Sequence, residues 1–336
     1  MKSKTILVVD DEATNLAAIR NILSDDYNLV FAKNGETALD MVSVHNPSLV
    51  LCDIQMPVMD GYEFSLALHT QSRPHKIPVI FVTSLNTEWD EEKGFNAGCV
   101  DYITKPVSPR LVKARVRAHL SHVHMSELEH SHQEAIHMLG AAGHHNDTDT
   151  GVHIWRMADY AQHLAHLYGW SKDDCELIKM AAPMHDTGKI GIHASILQKN
   201  GPLSDDEWVI MRTHPEIGYN ILRRSDAPVF QMAAQISLEH HEKWNRKGYP
   251  QGLAGTDISE SARIVAVADV FDALTTKRPY KDAWPIEKAV ALIKEDAGSH
   301  FDPDVAQVFL DQLDDFIAIR DKWAKVDKDE FDVYDF

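Results

Sequence analysis

His185-Asp186-Thr187-Gly188-Lys189-Ile190-Gly191-Ile192-His193 sets an imidazole beside a carboxylate at the end of an apolar, helix-patterned run, Leu177 to Met184. A carboxylate has two oxygens and can bridge two cations, whereas a neutral imidazole gives one terminal bond, so this step can seed a two-metal site. One such dipeptide decides little; its company does. His214 follows, then His240-His241-Glu242, then Asp269 at the end of Ile264-Val265-Ala266-Val267-Ala268, and His153 stands upstream. Such ligands suit divalent metals, and there are enough for more than one ion. Taken singly, each is a packed core histidine or a helix aspartate satisfied by a hydroxyl. Jointly, several buried His and Asp in one bundle are costly without cations.

Around these residues the pattern is helical throughout. From Thr150 onward, segments near 152 to 168, 173 to 185, 204 to 223, 228 to 240, 259 to 276, 285 to 297 and 303 to 323 are separated by Gly, Pro, Asn or Asp. Ser204 with Glu207 three residues on reads as a capping box. The expectation is a helical bundle whose inward side chains hold the metals.

The N-terminal third has another rhythm. Thr5 to Val9 is a β-branched, apolar run ending in Asp10-Asp11-Glu12, and Leu49 to Cys52 ends in Asp53. Val79 to Val82 ends in Thr83-Ser84, and a short run through Tyr102-Ile103 reaches Thr104-Lys105-Pro106. Helical patterns such as Leu16, Ile19, Ile22, Leu23 and Ala38, Met41, Val42 lie between them. This alternation predicts a doubly wound parallel α/β sheet with its polar residues at the carboxyl ends of the strands. Three converging carboxylates repel unless a cation joins them, and oxygen ligands suit Mg2+. Asp53 would be a nucleophile toward a phosphoryl donor, with Thr83 bonding the acyl phosphate and Lys105 neutralising it. Any one of these residues alone is more often a cap or a turn.

From Ser108, Leu111, Val112, Val116, Leu120 and Val123 recur at helical steps, and the pattern runs on to about Met138. Two readings stay open: a connector that pairs with a second copy as a short parallel coiled coil, or a lone helix packed on its own domain. His119, His122, His124, His130, His132, His137, His144 and His145 crowd this stretch. They read as a metal store or pH sensor, or more simply as solvated positions. Gly140 to Asp149 reads as a break.

With 336 residues the chain can form two domains, each with its own core. A net charge of -18 repels a long polyanion, and there is no basic recognition helix, so DNA is not an expected partner. No apolar stretch is long enough for a transmembrane helix, and the start shows no signal-peptide h-region, so a cytoplasmic protein with no membrane partner is expected. Cys52, Cys99 and Cys175 are far apart among apolar or small residues and read as buried thiols.

Residues 1 to about 120 resemble a response-regulator receiver domain: Asp10 and Asp11 match its acidic pair, Asp53 its phosphorylated aspartate, Thr83 and Lys105 its switch residues, and Tyr102 its rotating aromatic. Met56-Pro57-Val58-Met59-Asp60-Gly61 and Lys105-Pro106 fit its pattern too. The resemblance implies Mg2+ and a cognate histidine kinase.

Residues 147 to about 325 resemble the HD-GYP family of cyclic di-GMP phosphodiesterases. His153, His185, Asp186, His214, His240, His241 and Asp269 correspond to the family's metal ligands, and Lys189 to the lysine after its HD pair. Gly248-Tyr249-Pro250 is the namesake tripeptide, and Arg278 and Lys281 match the segment that holds substrate phosphate. The expected arrangement is a multidomain chain: a five-stranded receiver over 1–120, a helical connector over 121–146, an all-α HD-type bundle over 147–325 and an acidic tail over 326–336. Asp186 is the expected bridging and catalytic carboxylate, with Lys189 beside it. The resemblance implies two divalent ions such as Fe, Mn, Ni or Zn, and a third if Asp149, standing where many members have glutamate, reaches. A metal-activated hydroxide would open cyclic di-GMP to linear pGpG or on to GMP, with the chain working as a homodimer. Trp244-Asn245-Arg246-Lys247 departs from the commoner Asp-Gly-x form and adds positive charge. The rival readings are a slow or inactive module that grips cyclic di-GMP or a partner protein, and another HD-type nucleotide phosphohydrolase.

Overall fold

A computed structural model of the chain describes residues 4–70, 76–84, 94, 96–144, 152–276 and 282–325. It divides into two compact units between Ser131 and His132.

The first unit is a five-stranded parallel sheet, β1 (Thr5–Val9), β2 (Asn28–Ala32), β3 (Leu49–Cys52), β4 (Val79–Thr83) and β5 (Asp101–Thr104), in the order β2-β1-β3-β4-β5. Ile6, Val8, Leu51 and Val82 face Ile19 and Leu23 of α1 (Ala13–Leu23) and Val112 and Val116 of α4 (Pro109–His144). Leu7, Val9, Val50 and Phe81 face Ala38 and Val42 of α2 (Gly35–His45) and Phe64 and Leu68 of α3 (Gly61–Thr70). The period-2 alternation of side chains thus supplies two cores, one on each face of the sheet. Four strands follow the apolar runs. β2, an edge strand with three half-buried residues and an exposed end, has its own short apolar run, Leu29-Val30-Phe31-Ala32, which the sequence reading passed over.

The second unit is all helical among the described residues: α5 (Val152–Leu167), α6 (Lys172–Ala181), α7 (Ala194–Leu197), α8 (Asp205–Met211), α9 (His214–Leu222), α10 (Pro228–Glu239), α11 (Glu260–Thr275), α12 (Ile286–Glu295), α13 (Pro303–Asp311) and α14 (Leu313–Trp323). Tyr160, Phe271, Phe309 and Phe316 form its aromatic centre, with ring centroids 4.6 to 6.0 Å apart. The stretch expected as a connector is the later part of α4, and Ile136 there joins this second core.

Three expected helices are broken, each for a local reason. The segment 173–185 ends at Ala181, because Pro183 lacks the N–H that Lys179 would need as partner; short 3₁₀ turns, Ala182–Met184 and Thr187–Gly191, follow. The segment 204–223 divides at Arg212-Thr213, since Pro215 is tolerated only in the first turn of a new helix. The segment 303–323 restarts at Leu313, where Gln312 leaves helical geometry. Ser204 and Glu207 do form the expected capping box. All three cysteines are buried free thiols. Among the described residues no helix is long and apolar enough to cross a membrane.

Candidate functional site

The helix breaks set the histidines. Pro215 has no N–H for the carbonyl of Met211, and His214 Nδ1 takes it at 2.8 Å instead. His185 Nδ1 donates to the Ala182 carbonyl at 3.0 Å. His240, capping the C-terminal end of α10, donates from Nδ1 to the Ile236 and Ser237 carbonyls at 3.1 and 3.0 Å. A carbonyl only accepts, so each Nδ1 carries a proton, and each ring, once neutral, presents a lone pair from Nε2.

All three Nε2 atoms face Asp186, which is 7% exposed. Oδ2 lies 3.1 Å from His185 Nε2 and 2.7 Å from Lys189 Nζ, whereas Oδ1 lies 3.3 Å from His214 Nε2 and 3.7 Å from His240 Nε2. Each oxygen of one carboxylate therefore addresses a different set of imidazoles. Ligand atoms of Asp186, His214, His240 and His241 all lie within 4.8 Å of one another. The buried Nε2 atoms of His214 and His240 have no hydrogen-bond partner among the described residues. Buried lone pairs converging on carboxylate oxygens are repulsive until a cation joins them, and this donor set fits a divalent metal ion. Protonation shows the same tension. Burial alone would lower His185, but the Asp186 carboxylate outweighs it and holds that ring up to about 9. Burial, with His240 and His214 nearby, pushes His241 well below the usual imidazole range.

A second arm enters from α5 and α11. His153 Nε2 lies 3.6 Å from Asp269 Oδ1, and its Nδ1 hydrogen-bonds Asp272, a fully buried carboxylate one helical turn beyond Asp269. Arg156 grips Asp272 through Nε and, at 2.8 Å, Nη2, and also reaches Thr276 Oγ1 at 2.5 Å. Burial alone would raise the Asp272 carboxyl, but His153 and Arg156 hold it below the ordinary range. A carboxylate behind a histidine fixes the tautomer and the ring, which leaves His153 Nε2 for the site.

Glycines set the spacing. A β-carbon on Gly188 would overlap the His214 carbonyl oxygen, and one on Gly218 would overlap Ser237 Oγ. Only bare backbone lets the Thr187–Gly191 turn, α9 and α10 approach closely enough for their ligands to meet.

Glu242, 2% exposed, ties the following loop down. Its Oε1 accepts from the backbone N–H of Gln251 and Gly252 at 2.7 and 2.9 Å, and Oε2 from that of Leu253 at 3.0 Å. Gly248 passes so close to the Glu242 backbone that a side chain there would collide. The Tyr249 ring is thereby laid flat on His241, with centroids 4.7 Å apart and planes 25° off parallel.

In the first unit Lys105 Nζ bonds Asp53 Oδ2 at 2.7 Å and Asp10 Oδ2 at 2.9 Å. Asp10, Asp11 and Asp53 bring ligand oxygens within 4.8 Å of one another, a set suited to a hard cation. Burial raises the Asp53 carboxyl against the opposing pull of Lys105. Thr83 closes β4, and the Tyr102 ring on β5 lies 5.8 Å from that of Phe81.

The structure thus gathers Asp186, Lys189, His185, His214, His240 and His241 in one cluster, sets His153 against Asp269, and lays the Gly248-Tyr249-Pro250 loop on His241. Asp149, Arg278, Lys281 and the tail 326–336 fall outside the described residues. The sequence reading missed the parts played by Asp272, Arg156, Glu242, Gly188 and Gly218. For Asp272 a signal existed: an acid three residues after Asp269 shares its helical face in an otherwise apolar helix.

A family model described as an HD domain matches residues 121–305, and one described as a response regulator receiver domain matches residues 6–117. A probable cyclic di-GMP phosphodiesterase of Vibrio cholerae is 36% identical over 353 aligned positions, which cover 95% of this chain and 80% of that protein. A cyclic di-GMP phosphodiesterase response regulator of Xanthomonas campestris is 36% identical over 320, covering 89% and 85%. A 3'3'-cGAMP-specific phosphodiesterase of Vibrio cholerae is 44% identical over 196, covering 58% of this chain and 38% of that protein.

Proposed function

This chain belongs to the HD domain family and carries a response regulator receiver domain, and from that membership we propose that it is a response regulator whose output domain hydrolyses cyclic di-GMP. The observation that carries the reading is the division of Asp186: Oδ2 toward His185, Oδ1 toward His214 and His240. In this reading His153, His185 and Asp269 would hold one ion and His214, His240 and His241 the other, with Asp186 serving both. Mixed imidazole and carboxylate sets suit Fe, Mn, Ni or Zn. Divalent ions bound there supply positive charge to phosphoryl oxygens and lower the pKa of water.

The chain's own groups do the rest. Nδ1 bonds to helix-end carbonyls hold the His185, His214 and His240 rings in their tautomers, so no reorganisation is needed when substrate arrives. Lys189 adds a fixed cation 2.7 Å from Asp186 Oδ2, placed to meet a phosphate, and Arg278 and Lys281 are assigned the same task. Asp149 is assigned to a third ion. The product is linear pGpG or, after a second cut, GMP.

Upstream, a cognate histidine kinase phosphorylates Asp53 in the presence of Mg2+, with Lys105 and Thr83 bonding the phosphoryl oxygens and Tyr102 following them. A homodimer formed along α4 is supported by Met125 and Leu128, 53% and 41% exposed on that helix. The domain limits 1–120, 121–146 and 147–325, and a cytoplasmic location, belong to the same reading. The 3'3'-cGAMP-specific relative makes that dinucleotide the second candidate substrate. A binding-only output domain is not favoured, since the relatives that match nearly the whole chain are named as phosphodiesterases.

The test is His185→Ala with Asp186→Ala in the full chain, assayed for dinucleotide turnover and for phosphoryl uptake at Asp53. The double variant should lose turnover by at least a thousandfold and keep phosphoryl uptake. Unchanged turnover would overturn the site.

A further inference from the structure

Beyond His241 a ladder of flat groups leads outward from the metal centre. Tyr249 lies on His241, the Arg212 guanidinium lies 5.3 Å from the Tyr249 ring centroid, and it lies 5.9 Å from that of Trp208. Trp208 is 44% exposed, and Arg212 is exposed with neither an ion pair nor a side-chain hydrogen bond among the described residues. Both residues belong to α8 and its C-cap, and Arg212 stands two residues before His214. The ladder is therefore tied to the cation site by backbone at one end and by ring stacking at the other.

An exposed indole is a ready platform for a nucleobase, because every base has a π-face. A guanidinium lying over two rings keeps its N–H edge for a ligand. That edge matches the paired acceptors O6 and N7 of guanine, while adenine places an amino donor where O6 would be.

We propose that Trp208 and Arg212 form a guanine subsite, which receives one base of a cyclic dinucleotide whose phosphate lies at Asp186. The subsite rests on the phosphodiesterase reading above and adds the determinant of base preference. Trp208 supplies the stacking face and Arg212 the discriminating edge; Tyr249 holds the guanidinium over the mouth of the metal centre.

The test uses the metal-loaded full chain with cyclic di-GMP, 3'3'-cGAMP and cyclic di-AMP, reading kcat, KM and metal content. In Arg212→Gln the preference for cyclic di-GMP over cyclic di-AMP, as the ratio of kcat/KM values, should fall about tenfold or more, and Arg212→Lys, whose ammonium can reach O6 and N7 but cannot lie flat against the rings, should recover only part of it. Trp208→Ala should raise KM for all three substrates, and Trp208→Phe should bring KM back toward wild type. Metal content should match wild type in all four variants. A preference unchanged within twofold in Arg212→Gln overturns the subsite, as does activity lost in step with bound metal. Wild-type protein that cleaves bis(p-nitrophenyl) phosphate but none of the three dinucleotides overturns the substrate reading and the subsite together; turnover of cyclic di-GMP with an unmoved preference overturns the subsite alone.

Discussion

Gly188 packs against the carbonyl oxygen of His214 so closely that no side chain can stand between them. A methyl group there must push the turn bearing His185 and Asp186 away from α9. Gly188→Ala should lose metal and at least a hundredfold in turnover, because displacements of about 1 Å at a reacting centre cost that much. Overpacking should lower stability by about 1–3 kcal/mol. Gly191→Ala is the control: the nearest neighbours of its β-carbon are atoms of the Ile217 side chain, from 3.0 Å, which can move. Elemental analysis, turnover and thermal melts of both variants check the contrast.

Asp272 stands behind His153 as Asp186 stands in front of the other imidazoles. Asp272→Asn keeps the size but places an amide where His153 Nδ1 and Arg156 need a carboxylate. Metal affinity should fall about 10- to 100-fold, as expected for loss of a group that orients a ligand. Titration of metal-stripped protein gives the affinity directly. An affinity equal to wild type would remove Asp272 from the site.

His300 offers a pH signature. Burial, with Lys243 nearby, lowers its pKa from the ordinary 6.5 to about 4. Between those values the unfolded chain binds a proton that the folded chain refuses. The stabilisation is therefore complete above about pH 6.5 and is lost as pH falls toward 4. Between pH 7 and pH 5 the second unit should lose about 1–2 kcal/mol through this residue, a figure reduced for its partial exposure. Denaturant unfolding of His300→Gln should show that much less loss over the same interval.

Asp53 and Gly61 are linked as tightly: a β-carbon on Gly61 would overlap the Asp53 carbonyl oxygen and press on Ile54. Asp53→Asn should abolish phosphoryl uptake from acetyl phosphate in Mg2+. Gly61→Ala should slow uptake about tenfold or more by shifting Asp53 against Lys105, with the metal content of the second unit unchanged. Radiolabel incorporation distinguishes the two.

The best-marked site residues were legible because each is a polar residue standing out at the end of an apolar run. His185-Asp186 after Leu177–Met184 and Asp53 after Leu49–Cys52 show this best. Asp269 could be read for the same reason, whereas Asp272, placed among Val, Phe and Ala further along α11, looked like an ordinary helix acid. What escaped depended on pairs distant in sequence. Gly188 meets His214 and Gly218 meets Ser237, and neither glycine announces its partner. The helix breaks were readable in principle at Pro183 and Pro215, but the apolar periodicity on both sides argued for continuity. β2 carried a signal in Leu29-Val30-Phe31-Ala32, but unlike the other strands its run leads into no candidate site residue.

Glu242 spans the loop's two ends with one carboxylate, holding position 242 against positions 251 to 253. The path from one end to the other is thereby measured out, like a belt fastened at a single hole. A chain that keeps this buckle can exchange an exposed side chain such as Lys247 without altering the loop's path, whereas adding or removing one residue would unfasten it and lift Tyr249 from His241. Diversity of ligand choice at this rim must come through substitution, with insertions and deletions displaced to other loops.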